Sequence, residues 1–149
     1  MRAYRYRMPF TAALAIFMTA ALAQSTTLEP ARLVPDELKW TVTPFGTSRA
    51  DLAGDEKKHG MYAYRAVFPA NFRTQPHFHP DERIGTVLSG TLLVGFGEQF
   101  DESKMKALPA GSVWTEPARQ PHFTWAKDGE VIIQIIGSGP SASIPVKTK

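Results

Sequence analysis

Two histidines separated by a single phenylalanine, His77 and His79, stand in the stretch "PHFHPDERIGTVLSG" between Pro76 and Gly90. In an extended chain, residues two apart project to the same face with Cα atoms roughly 6.5 Å apart. Both imidazoles can then reach a shared ion through bonds of about 2.1 Å, which makes His-x-His a metal pair when it lies on a strand. A surface pair, or one satisfied within a core, has the same spacing, so the two residues alone do not decide. A third histidine, His122, opens another predicted strand after the proline-bracketed turn "PARQPH" and strengthens the case for a metal. The fourth, His59, sits in the polar loop "DEKKHG" and reads as solvent-exposed.

The elements that must position these rings read as short strands with turns every 8 to 12 residues and no helical stripe, which argues for an all-β sandwich or barrel. "MYAYRAVF" (Met61 to Phe68) alternates, "ERIGTVL" (Glu82 to Leu88) closes at Ser89-Gly90, and "TLLVGFG" (Thr91 to Gly97) follows directly. "SVWTE" (Ser112 to Glu116), "HFTWA" (His122 to Ala126) and "EVIIQII" (Glu130 to Ile136) complete the set. Gly46 to Gly60 reads as a long loop, and Asp101 to Leu108 as either a helix or a loop. Residues 24–38 are polar and proline-punctuated and form an arm, residues 39–140 form the domain, and residues 141–149 read as a polar tail.

Ahead of the arm, Arg2, Arg5 and Arg7 precede the apolar run Thr11 to Ala23, which ends in the small-x-small pattern Ala21-Leu22-Ala23. This is the pattern of a secretory signal peptide cleaved after Ala23, and it predicts a secreted or periplasmic protein beginning at Gln24. The 13-residue run falls short of the ~20 needed to span a bilayer, so no stable membrane anchor is expected after cleavage. The 149 residues carry 17 Lys+Arg and 14 Asp+Glu, a formal charge of +3. Without the three signal arginines the two counts are equal at 14, and a balanced chain is not expected to bind nucleic acid. The absence of cysteine suits an exported protein that is stabilised by a packed core or a metal rather than by disulfides.

The histidine-bearing segments resemble the cupin superfamily, whose first motif runs Gly-x5-His-x-His-x3,4-Glu-x6-Gly and whose second runs Gly-x5-Pro-x-Gly-x2-His-x3-Asn. His77, His79 and Gly90 match the first, and Gly111, Pro117 and His122 match the second at the right spacing. In detail the chain is similar to small exported single-domain cupins. The resemblance implies one cupin-type barrel, a double-stranded β-helix of jelly-roll form, with His77, His79 and His122 on one divalent metal ion. Three glycine or asparagine positions of the motifs are held instead by Asn71, Arg119 and Ala126.

The consequential departure concerns the motif glutamate, whose place, counted back from Gly90, is taken by Arg83. Glu82 is one residue early, and in a regular strand one residue of offset turns a side chain to the opposite face. Either a bulge absorbs the offset and Glu82 joins the metal, or Arg83 points into the barrel beside three neutral imidazoles with open positions. The regular alternation from Ile84 onward favours the second. Arg83 would then stand back from the cation and orient an anionic substrate, or else pair with Glu82 or Asp81.

Gln134, the lone polar residue of "EVIIQII", is a candidate for the substrate pocket, with Tyr64 and Trp114 as candidate walls. The resemblance implies an enzyme of dioxygenase type with Fe(II), because three-His cupins include dioxygenases. Zn, Mn or Ni at the same ligands would suit a lyase or isomerase, and a non-catalytic metal or small-ligand binder is the other outcome. The expected partner is a small molecule, and Trp40 to Phe45 could supply an edge strand for a homodimer.

Overall fold

The computed structural model describes residues 27–147; the expected signal peptide, the start of the arm and the last two residues lie outside them. The chain is all-β, as its turn spacing predicts. Its strands are β1 Thr41–Val42, β2 Ser48–Ala53, β3 Gly60–Phe68, β4 His77–Phe78, β5 Arg83–Ser89, β6 Thr91–Phe96, β7 Lys106–Pro109, β8 Val113–Glu116, β9 His122–Trp125, β10 Val131–Gly139 and β11 Ile144–Pro145. They form two antiparallel sheets, one ordered β1-β2-β3-β10-β5-β8 and the other β11-β4-β9-β6-β7.

Period-two alternation decides what each strand buries. Along β10, Val131, Ile133 and Ile135 are buried while Ile132, Gln134 and Ile136 are not. On β5 the inward set is Arg83, Gly85 and Val87. Val87, Leu92, Val131 and Ile135 are at most 1% exposed, and full burial of each such side chain stabilises the fold by about 1.5–3 kcal/mol.

Two segments differ from their sequence reading. The expected loop at 46–60 contains β2, whose "SRADLA" has little intrinsic strand preference; it becomes a strand by pairing along β3, with Ser48 opposite Val67 and Ala50 opposite Arg65. In Asp101 to Leu108, the Asp101 side chain accepts from the Ser103 amide and caps a single 3-10 turn, Glu102–Lys104, after which the chain becomes β7.

The motif turns keep their backbone shape where glycine has been replaced. Gly90 and Gly111 have φ of 77° and 87°, and Asn71 and Arg119 adopt 66° and 62°. Left-handed backbone is easy for glycine and tolerable for asparagine, but it carries a steric cost at arginine. Arg119 is held there by its amide, which donates to the His79 carbonyl at 2.7 Å.

Residues beyond Gly139 are a strap rather than a free tail. β11 pairs with β4, placing Pro145 opposite His77, and the Val146 amide donates to the Pro76 carbonyl. The Ser141 amide is fixed by the Glu56 carbonyl at 2.6 Å.

Candidate metal centre

β4 and β9 are neighbours in the five-stranded sheet, and their register sets His77 directly opposite His122. His79, one residue past the end of β4, turns inward and is buried. The three rings lie 4.5 to 5.2 Å apart between centroids. One nitrogen from each falls within 4.8 Å of the others.

Backbone carbonyls fix which nitrogen that is. Nδ1 of His77 lies 2.8 Å from the Gln75 carbonyl, Nδ1 of His79 lies 2.8 Å from the Ala142 carbonyl, and Nδ1 of His122 lies 3.1 Å from the Gln120 carbonyl. A carbonyl only accepts, so each Nδ1 carries the proton and each neutral ring keeps its lone pair on Nε2. Burial keeps His77 below the usual histidine range. Burial, reinforced by the Arg83 charge, brings His79 down to about 4. Nε2 of His79 is buried without any hydrogen-bond partner. An unpartnered lone pair in a dry interior is costly unless a cation meets it, so these residues fit a bound divalent metal.

The six-stranded sheet faces the rings with a charged pair. Arg83 at the start of β5 is opposite Glu116 at the end of β8, and both point inward, 8% and 3% exposed. Arg83 donates from Nε at 2.7 Å and from Nη2 at 2.6 Å to Glu116 Oε2, and Nη1 lies 3.4 Å from the Tyr64 hydroxyl. Trp114 donates its indole N–H to Glu116 Oε1 at 2.9 Å. The indole lies over Gly85, its cross-strand partner, where any Cβ would overlap the ring. Burial alone would raise the Glu116 carboxyl, but the Arg83 charge and the indole N–H outweigh it and hold the group ionised, down to about 2.

Among the sequence candidates, the structure brings together His77, His79 and His122, and sets Arg83, Tyr64 and Trp114 around Glu116. Tyr64 stacks on Tyr62, and the Arg49 guanidinium covers its ring at 3.8 Å. Two candidates are corrected. Glu82 is exposed and outside the histidine group, because alternation that turns Arg83 inward turns its neighbour out. Gln134 does not face the interior either; on the outer face of β10 it accepts from Arg65 Nε at 3.2 Å. Asp81, the other acid near the first motif, is taken by the Tyr62 hydroxyl at 2.6 Å. Glu116 went unread as a site residue, although its i,i+2 relation to Trp114 in "SVWTE" already put both on one face.

A family profile described as "Domain of unknown function (DUF4437)" matches residues 34–147. The chain belongs to that family. Its fold is the cupin fold: an RmlC-like cupin from Shewanella frigidimarina matches with a TM-score of 0.60 and 16% identity over 76% of this chain and 96% of its own. The polyketide cyclase RemF from Streptomyces resistomycificus matches at 0.67 and 16% identity, covering 81% of this chain and 88% of that one. KdgF from Halomonas sp. matches at 0.59 and 23% identity, covering 72% and 94%. Identities this low establish the shared fold and not a shared reaction. No curated protein sequence matches this chain significantly.

Proposed function

We propose that the chain is a metal-dependent enzyme acting on a small anionic molecule, with oxidoreductase chemistry of the dioxygenase type. The observation that carries the reading is the convergence of three Nε2 lone pairs, with His79 Nε2 left unpartnered in the interior. His77, His79 and His122 would hold one divalent ion, Fe(II) in this reading, which when bound supplies a Lewis-acidic centre with positions for substrate and O2. The chain's own groups would do the rest. Arg83 spends its Nε and Nη2 edge on Glu116 and keeps Nη1, beside the Tyr64 hydroxyl, for a substrate carboxylate or enolate. Burial of the rings and of the charged pair keeps bulk water away and strengthens that recognition.

The fold hosts both redox and non-redox chemistry, as solved structures named oxalate oxidase and DMSP lyase illustrate. Oxygen uptake by iron-loaded protein, screened against small carboxylates, diketones and thiols, tests the proposal. Uptake faster than free iron gives for at least one class is expected. Uptake no faster than free iron, with stoichiometric metal retained, would leave a metal or ligand binder. The same proposal places the protein outside the cytoplasm, on the strength of the pattern Arg2 to Ala23. A mature N-terminus at Gln24 is expected, and a mature protein that begins upstream of Arg7 would overturn that part.

A further inference from the structure

We infer that Glu116 is a fourth protein donor of the centre and that Arg83 is its positioning residue; the inference rests on the proposed metal site. Glu116 Oε1 lies 3.4 Å from His122 Nε2, and Oε2 lies 3.8 Å from His79 Nε2. With Nδ1 of both rings already protonated toward carbonyls, each short approach sets a carboxylate lone pair against an imidazole lone pair. Without an intervening positive charge that arrangement is repulsive. A proton on His122 would relieve only one of the two contacts and would leave His79 Nε2 orphaned, whereas one cation between the three groups relieves both. Two adjacent donors bonded at about 2.1 Å to one ion stand about 3.0 Å apart at octahedral angles and about 3.4 Å apart at tetrahedral ones, so Glu116 and His122, 3.4 Å apart, are within reach of a shared ion.

The surroundings aim the carboxylate at this task. Arg83 takes Oε2 with two hydrogen bonds and the Trp114 indole takes Oε1 with one, which sets the plane of the group and leaves Oε1 with acceptor capacity toward the rings. The acid is thus supplied from β8, directly across from Arg83, and not from the β5 side where Glu82 stands exposed.

The experiment is a titration of metal-free protein with Co(II), read by affinity and by the visible spectrum, which reports the number and type of donors. Wild type is expected to bind one ion. Glu116→Gln is expected to bind at least 10-fold more weakly with a displaced spectrum, in the range seen when a supporting group is lost. Because that variant strands a buried guanidinium, Glu116→Gln with Arg83→Gln serves as the neutral control, and it should show the same loss while remaining folded by circular dichroism. Arg83→Gln alone releases the carboxylate that it positions, so it should keep the wild-type spectral type while binding about 10-fold more weakly; wild-type affinity in that variant would show that Arg83 does not position Glu116. If wild type binds one Co(II) and both Glu116 variants match it in affinity and spectrum, Glu116 is no ligand and the three-histidine reading stands. If wild type binds none, the metal site itself is wrong and this inference goes with it.

Discussion

The two sheets furnish the centre in opposite ways. The five-stranded sheet contributes neutral rings, each oriented by a backbone carbonyl, so their geometry depends on main-chain positions at Gln75, Gln120 and Ala142. The six-stranded sheet contributes a buried ion pair whose members orient one another and lean on Trp114. Rings held by the backbone fail through loss of the local fold. A charge pair held by mutual attraction fails as soon as one partner is removed, because the other is then buried without compensation.

That contrast can be broken most sharply on the charged side. Arg83→Glu would set two carboxylates face to face at under a tenth exposure, and a loss of about 3–5 kcal/mol is expected from denaturant midpoints. Adding Glu116→Arg restores the pair with its polarity exchanged and should recover most of the loss. A double variant no better than the worse single would show that the pair is not a mutual support. On the neutral side, a chain ending at Pro140 removes the Ala142 carbonyl and β11. Metal affinity should fall 10- to 100-fold in a direct titration, and an unchanged affinity would remove the strap from the account.

Acid separates the two sides without mutation. In metal-free protein the folded His79 takes its proton at about 4 instead of 6.5. The unfolded chain therefore binds more protons between those values, so stability is fully present above pH 6.5 and declines as the pH falls toward 4. Glu116, held at about 2 against an ordinary 4.5, contributes stability that is present above pH 4.5 and lost as the pH falls toward 2. Unfolding midpoints measured down this range should fall in two stages, and His79→Gln should flatten the first. The smallest effect concerns the two motif turns. Arg119→Gly should stabilise the protein by up to about 1 kcal/mol, and Asn71→Gly by less, since asparagine already accepts the left-handed region. Equal effects at the two sites would remove that distinction between the turns.

The barrel was readable because turn residues and period-two strands carry it locally, and the three histidines were readable because their spacing lies within two short motifs. Glu116 was hidden by its position. Its pairing with Arg83 spans 33 residues and depends on how β6, β7 and their turns return β8 to β5, a register that no local pattern records. Gln134 misled for the opposite reason: "EVIIQII" is apolar on both faces, so alternation could not say which set points inward until β3 and β5 fixed it. β2 escaped because its residues carry no strand signal of their own and acquire one from β3.

The strap also sets an order of events. Ala142 leaves the ribosome after every residue that surrounds the ion, so during synthesis His79 lacks the acceptor that commits its proton to Nδ1. Until the β11 segment docks along β4, that ring is free to present either nitrogen to the interior. Capture of the ion in its finished geometry is thereby deferred until the segment after Gly139 has docked, which favours loading of the folded protein over loading of the nascent one.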